Sequence, residues 1–149
     1  MTASDLIFVD TNVLLYARDQ TVPSKHAAAQ KWMGALRRTG NWRISYQVVH
    51  EYYDVFRRKL APGLSLDEAR KDVRDFLAWG PLAPNPAVVE AAWAMQDVHR
   101  LSWWDGLILG AAKVGGCAYL LSEDLSAGHN YNGVRVINPF ATEPAEVLR

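Results

Sequence analysis

The sequence predicts a single α/β domain built on a parallel sheet, and three observations carry that prediction. Short apolar runs that suit strands buried on both faces, Leu6-Ile7-Phe8-Val9 and Ala118-Tyr119-Leu120-Leu121, alternate with stretches of helical periodicity. Acidic residues follow closely on those runs, Asp10 directly after the first and Glu123 and Asp124 one residue beyond the second, after Ser122. Length and composition permit one core: 149 residues, half of them hydrophobic and six of them Trp, can bury about two-thirds or more of the unfolded surface.

Taken in order, the first strand ends at Asp10-Thr11-Asn12, three residues that favour turns and helix caps, and Val13 to Ala17 reads as a short helix. Asp10 therefore suits two roles, cap of that helix and carboxylate at the sheet edge where open α/β folds bind ligands. A second helix is expected from a Ser24 cap, with Ala28, Trp32, Ala35 and Leu36 inward and Arg37-Arg38 as a solvated end before Gly40. Trp42 to Tyr46 reads as the second strand. Gln47 opens a helix whose Val49, Tyr52, Tyr53, Phe56 and Leu60 form a core stripe, while Glu51 lies on another face and in the first turn.

Ala61-Pro62-Gly63 is a turn, and Ser65 with Glu68 is a capping box opening a helix to Trp79, whose Asp67, Asp72 and Asp75 alternate with Arg70, Lys71 and Arg74 on an outer face. Leu82-Ala83 leaves room for a short third strand. Pro86 suits the first position of a helix to Arg100, with Val88, Ala92 and Met95 inward. Ser102 starts the next helix, in which Asp105 stands at the partner position of a capping box, and Gly115-Gly116 stops it. Ala118 to Leu121 is the fourth strand and Val134 to Ile137 the fifth, alternating as a sheet edge does. The domain is expected over residues 1–140, with 141–149 a short polar tail.

Sixteen basic against sixteen acidic residues give zero formal charge, which argues against a protein that coats duplex DNA but not against a nuclease with an acidic metal centre and a local basic rim. Cys117 is the sole cysteine, so an internal disulfide is excluded and a reducing compartment fits. No apolar run approaches the roughly 20 residues that span a bilayer, so a cytoplasmic protein with no membrane partner is expected.

Asp10, Glu51, Asp105 and Asp124 each stand just after a strand or early in a helix, positions that gather along one edge of a right-handed βαβ sheet. Four carboxylates so gathered repel one another unless a cation neutralises them. Oxygen ligands without His or Cys partners favour Mg²⁺ or Mn²⁺ over Zn²⁺, and His26, His50, His99 and His129 show no ligand spacing.

The pieces Phe8-Val9-Asp10-Thr11-Asn12, Ser45 to Glu51, Trp104-Asp105-Gly106-Leu107-Ile108, Leu121 to Leu125 and Val136 to Phe140, in this order, resemble a PIN domain and more narrowly a VapC-type ribonuclease toxin of bacterial toxin-antitoxin pairs. The resemblance implies a parallel five-stranded sheet in the order 3-2-1-4-5, a Mg²⁺ or Mn²⁺ site, endonucleolytic cleavage of RNA, a homodimer and a cognate antitoxin. The surplus of Trp and Tyr points to a dimer as well. Two departures stand out: Gly106 replaces the usual Ala after the third acid, and Glu123 and Asp124 compete for the fourth, of which Asp124 shares its side of the chain with Ser122.

In this reading Asp10, Asp105 and Asp124 bind the cation, Glu51 ligates it or a second one through water, and Thr11, Asn12 and Ser122 orient ligands or the scissile phosphate. Arg18, Lys25, Arg43, Trp42 and Trp103 are candidates for holding RNA. Two other readings stay open, a phosphoryl-transfer protein of receiver or haloacid-dehalogenase type and a catalytically silent PIN-like module. Asn12 stands where a dehalogenase-type site needs a second Asp, and the four intact acids weigh against the silent module.

Overall fold

A computed structural model describes residues 5–60 and 63–148. Strand β1 (Leu6–Val9) runs through the middle of the sheet, and its Ile7, Phe8 and Val9 are fully buried, as an apolar run between two neighbouring strands requires. It pairs in parallel with β2 (Trp42–Arg43) on one side and β3 (Cys117–Leu121) on the other, and β3 pairs in parallel with β5 (Val134–Ile137). The α/β class and the parallel core are those the sequence predicts.

Both edges differ from expectation. The third strand shrinks to one parallel bridge between Ser45 and Leu82, with Leu82 donating to the Ile44 carbonyl at 2.9 Å and accepting from Tyr46 N–H at 3.0 Å. Pro81, Pro84 and Pro86 leave few backbone donors there to extend a ladder. At the other side β5 is not the edge. Strand β4 (Asn130–Tyr131) folds back on it antiparallel, giving the order β2-β1-β3-β5-β4. Asn132 and Gly133 at φ 51° and 99° make that hairpin turn, and Asn-Gly between Tyr131 and Val134 is a strong sequence signal for it that the expectation of a bare edge passed over. With Leu82 standing for the third strand, the expected 3-2-1-4-5 arrangement remains, lengthened by β4.

Helix α1 (Thr11–Tyr16) follows β1 and contacts α2 (Pro23–Thr39) and α3 (Tyr46–Val55). Helix α2 starts at Pro23 after an uncapped Val22, not from a Ser24 cap, because Pro supplies the helical φ at the first position. Its inward residues are Ala29, Trp32, Met33 and Leu36, a stripe that differs from the expected one in replacing Ala28 and Ala35. Arg37 is not simply solvated: it pairs with Asp75 at 2.8 Å and lies 5.3 Å from the Trp42 ring.

Helix α3 is capped by Ser45 and continues into a π-helical turn, Phe56–Leu60. The turn expected at Ala61-Pro62 lies outside the described residues. Ser65 and Glu68 form the expected capping box of α4 (Leu66–Ala78), with bonds of 3.2 and 2.9 Å. Asp72 of α4 departs from the outer-face reading, because Arg18 grips both its oxygens at 2.7 and 2.8 Å and the Tyr52 hydroxyl donates to it at 2.5 Å. With its side chain only 16% exposed, Asp72 is tolerable there because such partners answer its charge.

Asn85 caps α5 (Pro86–Val98), whose Val88, Ala92 and Met95 are buried as expected. Helix α6 (Trp103–Val114) pairs closely with α5 and lies on β3 and β5. The approach depends on Gly110: a methyl there would stand 2.8 Å from the Val88 carbonyl oxygen and 2.9 Å from the Ala92 nitrogen. Short helix α7 (Pro144–Val147) contacts α2, and the Trp32 indole donates to the carbonyls of Pro139 and Thr142 at 3.2 and 3.0 Å. No helix among the described residues is long and apolar enough to cross a membrane.

Candidate active site at the carboxyl end of the central strand

Asp10 ends β1 and caps α1, so both roles that suited it in the sequence are geometrically filled. Its backbone continues the ladder by donating to the Leu121 carbonyl at 3.0 Å. One carboxylate oxygen accepts from Thr11 N–H and the other from the Ser122 hydroxyl, each at 2.8 Å. Asp10 is 8% exposed and Ser122 is fully buried, yet among the described residues no Arg or Lys pairs with the carboxylate, and its third neighbour is again neutral, the Asn12 amide at 3.5 Å. Burial, opposed by the Ser122 and Thr11 hydrogen bonds and reinforced by the charges of Asp124 and Glu51, raises its pKa to about 6.

The residues after Asp10 distribute its neighbours. The first turn of α1 projects Thr11 toward α3, where its hydroxyl donates to Glu51 at 2.8 Å. Asn12 turns the other way, and its amide donates to Asp124 at 3.0 Å and to the Ser122 hydroxyl at 3.3 Å. Ser122 also accepts from the backbone N–H of Asp124 at 3.1 Å, fixing the bend after β3. Glu123, the rival for the fourth acid, points elsewhere and pairs with Lys25 at 2.7 Å. Thus Asp10, Glu51 and Asp124 hang on Thr11, Asn12 and Ser122, three neutral polar residues.

Glu51 is in the second turn of α3, not the first, so attraction to the helix N-terminus does not account for it. Its other oxygen accepts from Gln47 at 2.9 Å, one turn earlier, and the same Gln47 amide reaches the Trp104 carbonyl at 3.4 Å. Gln47 was legible as an i, i+4 neighbour of Glu51 but carries no charge to mark it. Asp105 follows Trp104 and is half-buried. Its backbone N–H donates to Ser102 at 3.1 Å without the return bond of a capping box, and its carboxylate is hydrogen-bonded to none of the other three acids.

The donors are all hard oxygens, and the buried Oδ1 of Asn12 finds no hydrogen-bond donor among the described residues. An electron-rich oxygen left over beside an uncompensated carboxylate suits a hard divalent cation in chemical kind. Among the described residues, however, no three His, Cys, Asp or Glu side chains are gathered closely enough to enclose a metal as they stand. Like charges with neutral donors between them settle apart.

Of the residues expected to hold RNA, four are engaged or hidden. Trp42 is buried in the core, Arg18 is committed to Asp72, Lys25 to Glu123, and Arg43 to the carbonyls of Gly40 and Trp42. Trp103 is half-buried beside Trp93, at 6.4 Å between ring centroids. Trp104, which the sequence did not single out for this, is 63% exposed.

A family model described as PIN domain matches residues 7–128, a span that holds all four acids and the three polar residues between them. No curated protein matches the chain.

Proposed function

The chain belongs to the PIN domain family, which is generally a family of nucleases, and from that premise we propose that it is a Mg²⁺- or Mn²⁺-dependent endoribonuclease, the VapC-type toxin of a toxin-antitoxin pair. The observation that carries the reading is Asp10: a buried carboxylate at the sheet's carboxyl edge, without a cationic side chain, linked through Ser122 and Asn12 to Asp124 and through Thr11 to Glu51. Uncompensated burial of charge is costly, and such groups cluster at functional sites.

Asp10, Asp105 and Asp124 would hold the cation, with Glu51 holding it, or a second one, through water. When bound, the cation supplies a water acidified for in-line attack on phosphorus and offsets negative charge on the phosphate oxygens. The residues of the chain do the positioning. Thr11 N–H and Ser122 fix the two oxygens of Asp10, Asn12 fixes Asp124, and Thr11 with Gln47 fixes both oxygens of Glu51. Water is the nucleophile, so no side chain forms a covalent intermediate and the P–O bond breaks in a single displacement. A phosphoaspartyl mechanism of dehalogenase type lacks its second Asp, since Asn12 stands at that position.

Incubating the purified protein with single-stranded RNA tests this directly. Cleavage should require Mg²⁺ or Mn²⁺ and stop in EDTA; cleavage that persists in EDTA overturns the metal-dependent reading. Expression with and without the neighbouring reading frame tests the toxin half: growth arrest should occur alone and be relieved by the co-encoded antitoxin. Trp93 and Val98 on α5, 51% and 69% exposed, offer apolar surface for the proposed homodimer. Sedimentation at micromolar concentration tests it, a monomer overturning the proposal.

A further inference from the structure

Two clefts open on either side of Glu51. One, of about 390 Å³, passes Thr11, Asn12, Lys59 and Asp124. The other, of about 550 Å³, lies between the first turns of α3 and α6 and is walled by Tyr46, His50, Leu82, Trp104 and Leu107. Glu51 lines both, and in the second it is the one charged residue among the described residues of the wall. Gln47 joins the second cleft to the acids, since its amide touches Glu51 at 2.9 Å and the Trp104 carbonyl at 3.4 Å.

We propose that this second cleft receives an unpaired nucleobase of the RNA, next to the scissile phosphate and stacked on Trp104. The inference rests on the nuclease reading and adds to it the place where one base of the substrate is held. Phosphate is excluded from a cleft whose charge is Glu51, and a paired base is already stacked within its helix. An unpaired base is flat, uncharged and apolar on its faces, with hydrogen-bonding edges. The cleft matches each property. The Trp104 indole is 63% exposed and makes no ring contact or side-chain hydrogen bond among the described residues. Tyr46, 37% exposed, stands 6.4 Å from the His50 ring at an interplanar angle of 31°, a second aromatic wall. The His50 ring nitrogens and the Gln47 carboxamide oxygen have no hydrogen bond among the described residues and can meet a base edge. An apolar peptide side chain in the same place would leave those polar groups unpaired.

The test uses the whole protein, a short single-stranded RNA of mixed sequence, and versions of that RNA with one abasic nucleotide at each position in turn. Trp104→Ala should raise KM roughly ten- to hundredfold with little change in kcat, the range expected for one lost base-aromatic stack. Trp104→Phe should recover most of that loss. At one position beside the cut, an abasic nucleotide should cost the wild type as much and cost Trp104→Ala nothing further. Equal cleavage by wild type and Trp104→Ala, or abasic penalties identical in both proteins at every position, overturns the proposal. If the wild type cleaves no RNA with Mg²⁺ or Mn²⁺, the nuclease reading fails and binding decides the inference. Fluorescence anisotropy in EDTA should then show single-stranded RNA bound through Trp104, and equal binding by both proteins overturns it.

Discussion

Two inward aspartates flank α1, and the protein treats them in opposite ways. Asp72 meets Arg18 in a two-pronged ion pair and the Tyr52 hydroxyl as well, so its charge is answered within the fold. Asp10, at the other end of the same helix, has neutral donors alone among the described residues, and burial raises its pKa to about 6. A compensated acid ties elements together: Asp72 joins α4 to α3 and to the segment after α1. An uncompensated one raises the energy of the fold and is available to a cation from outside. What separates the two carboxylates is the presence of an Arg beside one of them.

The largest effect that tests this contrast is on catalysis. Asp10→Asn should lower RNA cleavage at limiting Mg²⁺ by a factor on the order of a hundred or more while preserving the fold, because Asn keeps the size and the capping oxygen but not the charge. Wild-type rates from that variant would remove Asp10 from the site. Asp72→Asn should do the reverse, costing about 2 kcal/mol in urea unfolding by stranding Arg18, with the specific activity of the folded protein retained. If it raised stability, the Arg18–Asp72 pair would not be the brace described.

The pH dependence tests the uncompensated acid. Asp10 has a folded pKa above its unfolded value, so its contribution to stability is fully present below pH 3.8 and lost as pH rises through about 6. In EDTA, Asp10→Asn should therefore gain on the wild type between pH 4 and 6 and level off above, by about 3 kcal/mol at most. A difference that stays flat with pH would contradict the raised pKa. The smallest expected change is for Glu51→Gln, which should stabilise the metal-free protein by less than about 1 kcal/mol because it removes one like charge but keeps acceptor and shape. Thermal unfolding in EDTA measures it, and a clear loss would show that Thr11 and Gln47 need the full carboxylate.

How much of this the sequence showed depends on how far apart the partners lie. Asp10, the capping box of Ser65 and Glu68, and Pro86 after Asn85 are local signals, and each appears in the structure where its chemistry puts it. Asn132-Gly133 was equally local and was overlooked. Asp72 was misread because its partners stand 54 and 20 residues away, and helical alternation of charge around it imitates a solvated face. Trp42 and Trp104 show the same limit: one indole is core and the other is exposed, and neither neighbourhood in the sequence distinguishes them. Of the four acids that the sequence offered, Asp10 and Asp124 lie just past strands, whereas Glu51 and Asp105 lie within helices. The neutral residues that space them were legible in part, since Thr11, Asn12 and Ser122 adjoin the acids and Gln47 does not.

The ends of the sheet bear on how this protein behaves when crowded. On one side pairing stops at Leu82 among prolines, and on the other it stops at the two residues of β4. Neither rim offers the long row of free N–H and C=O groups onto which another molecule's strand can add and from which fibrils grow. Strand addition between copies of the chain is thereby disfavoured. Lengthening either rim, for example by replacing Pro81 and Pro84 with β-favouring residues, would trade that safeguard for aggregation.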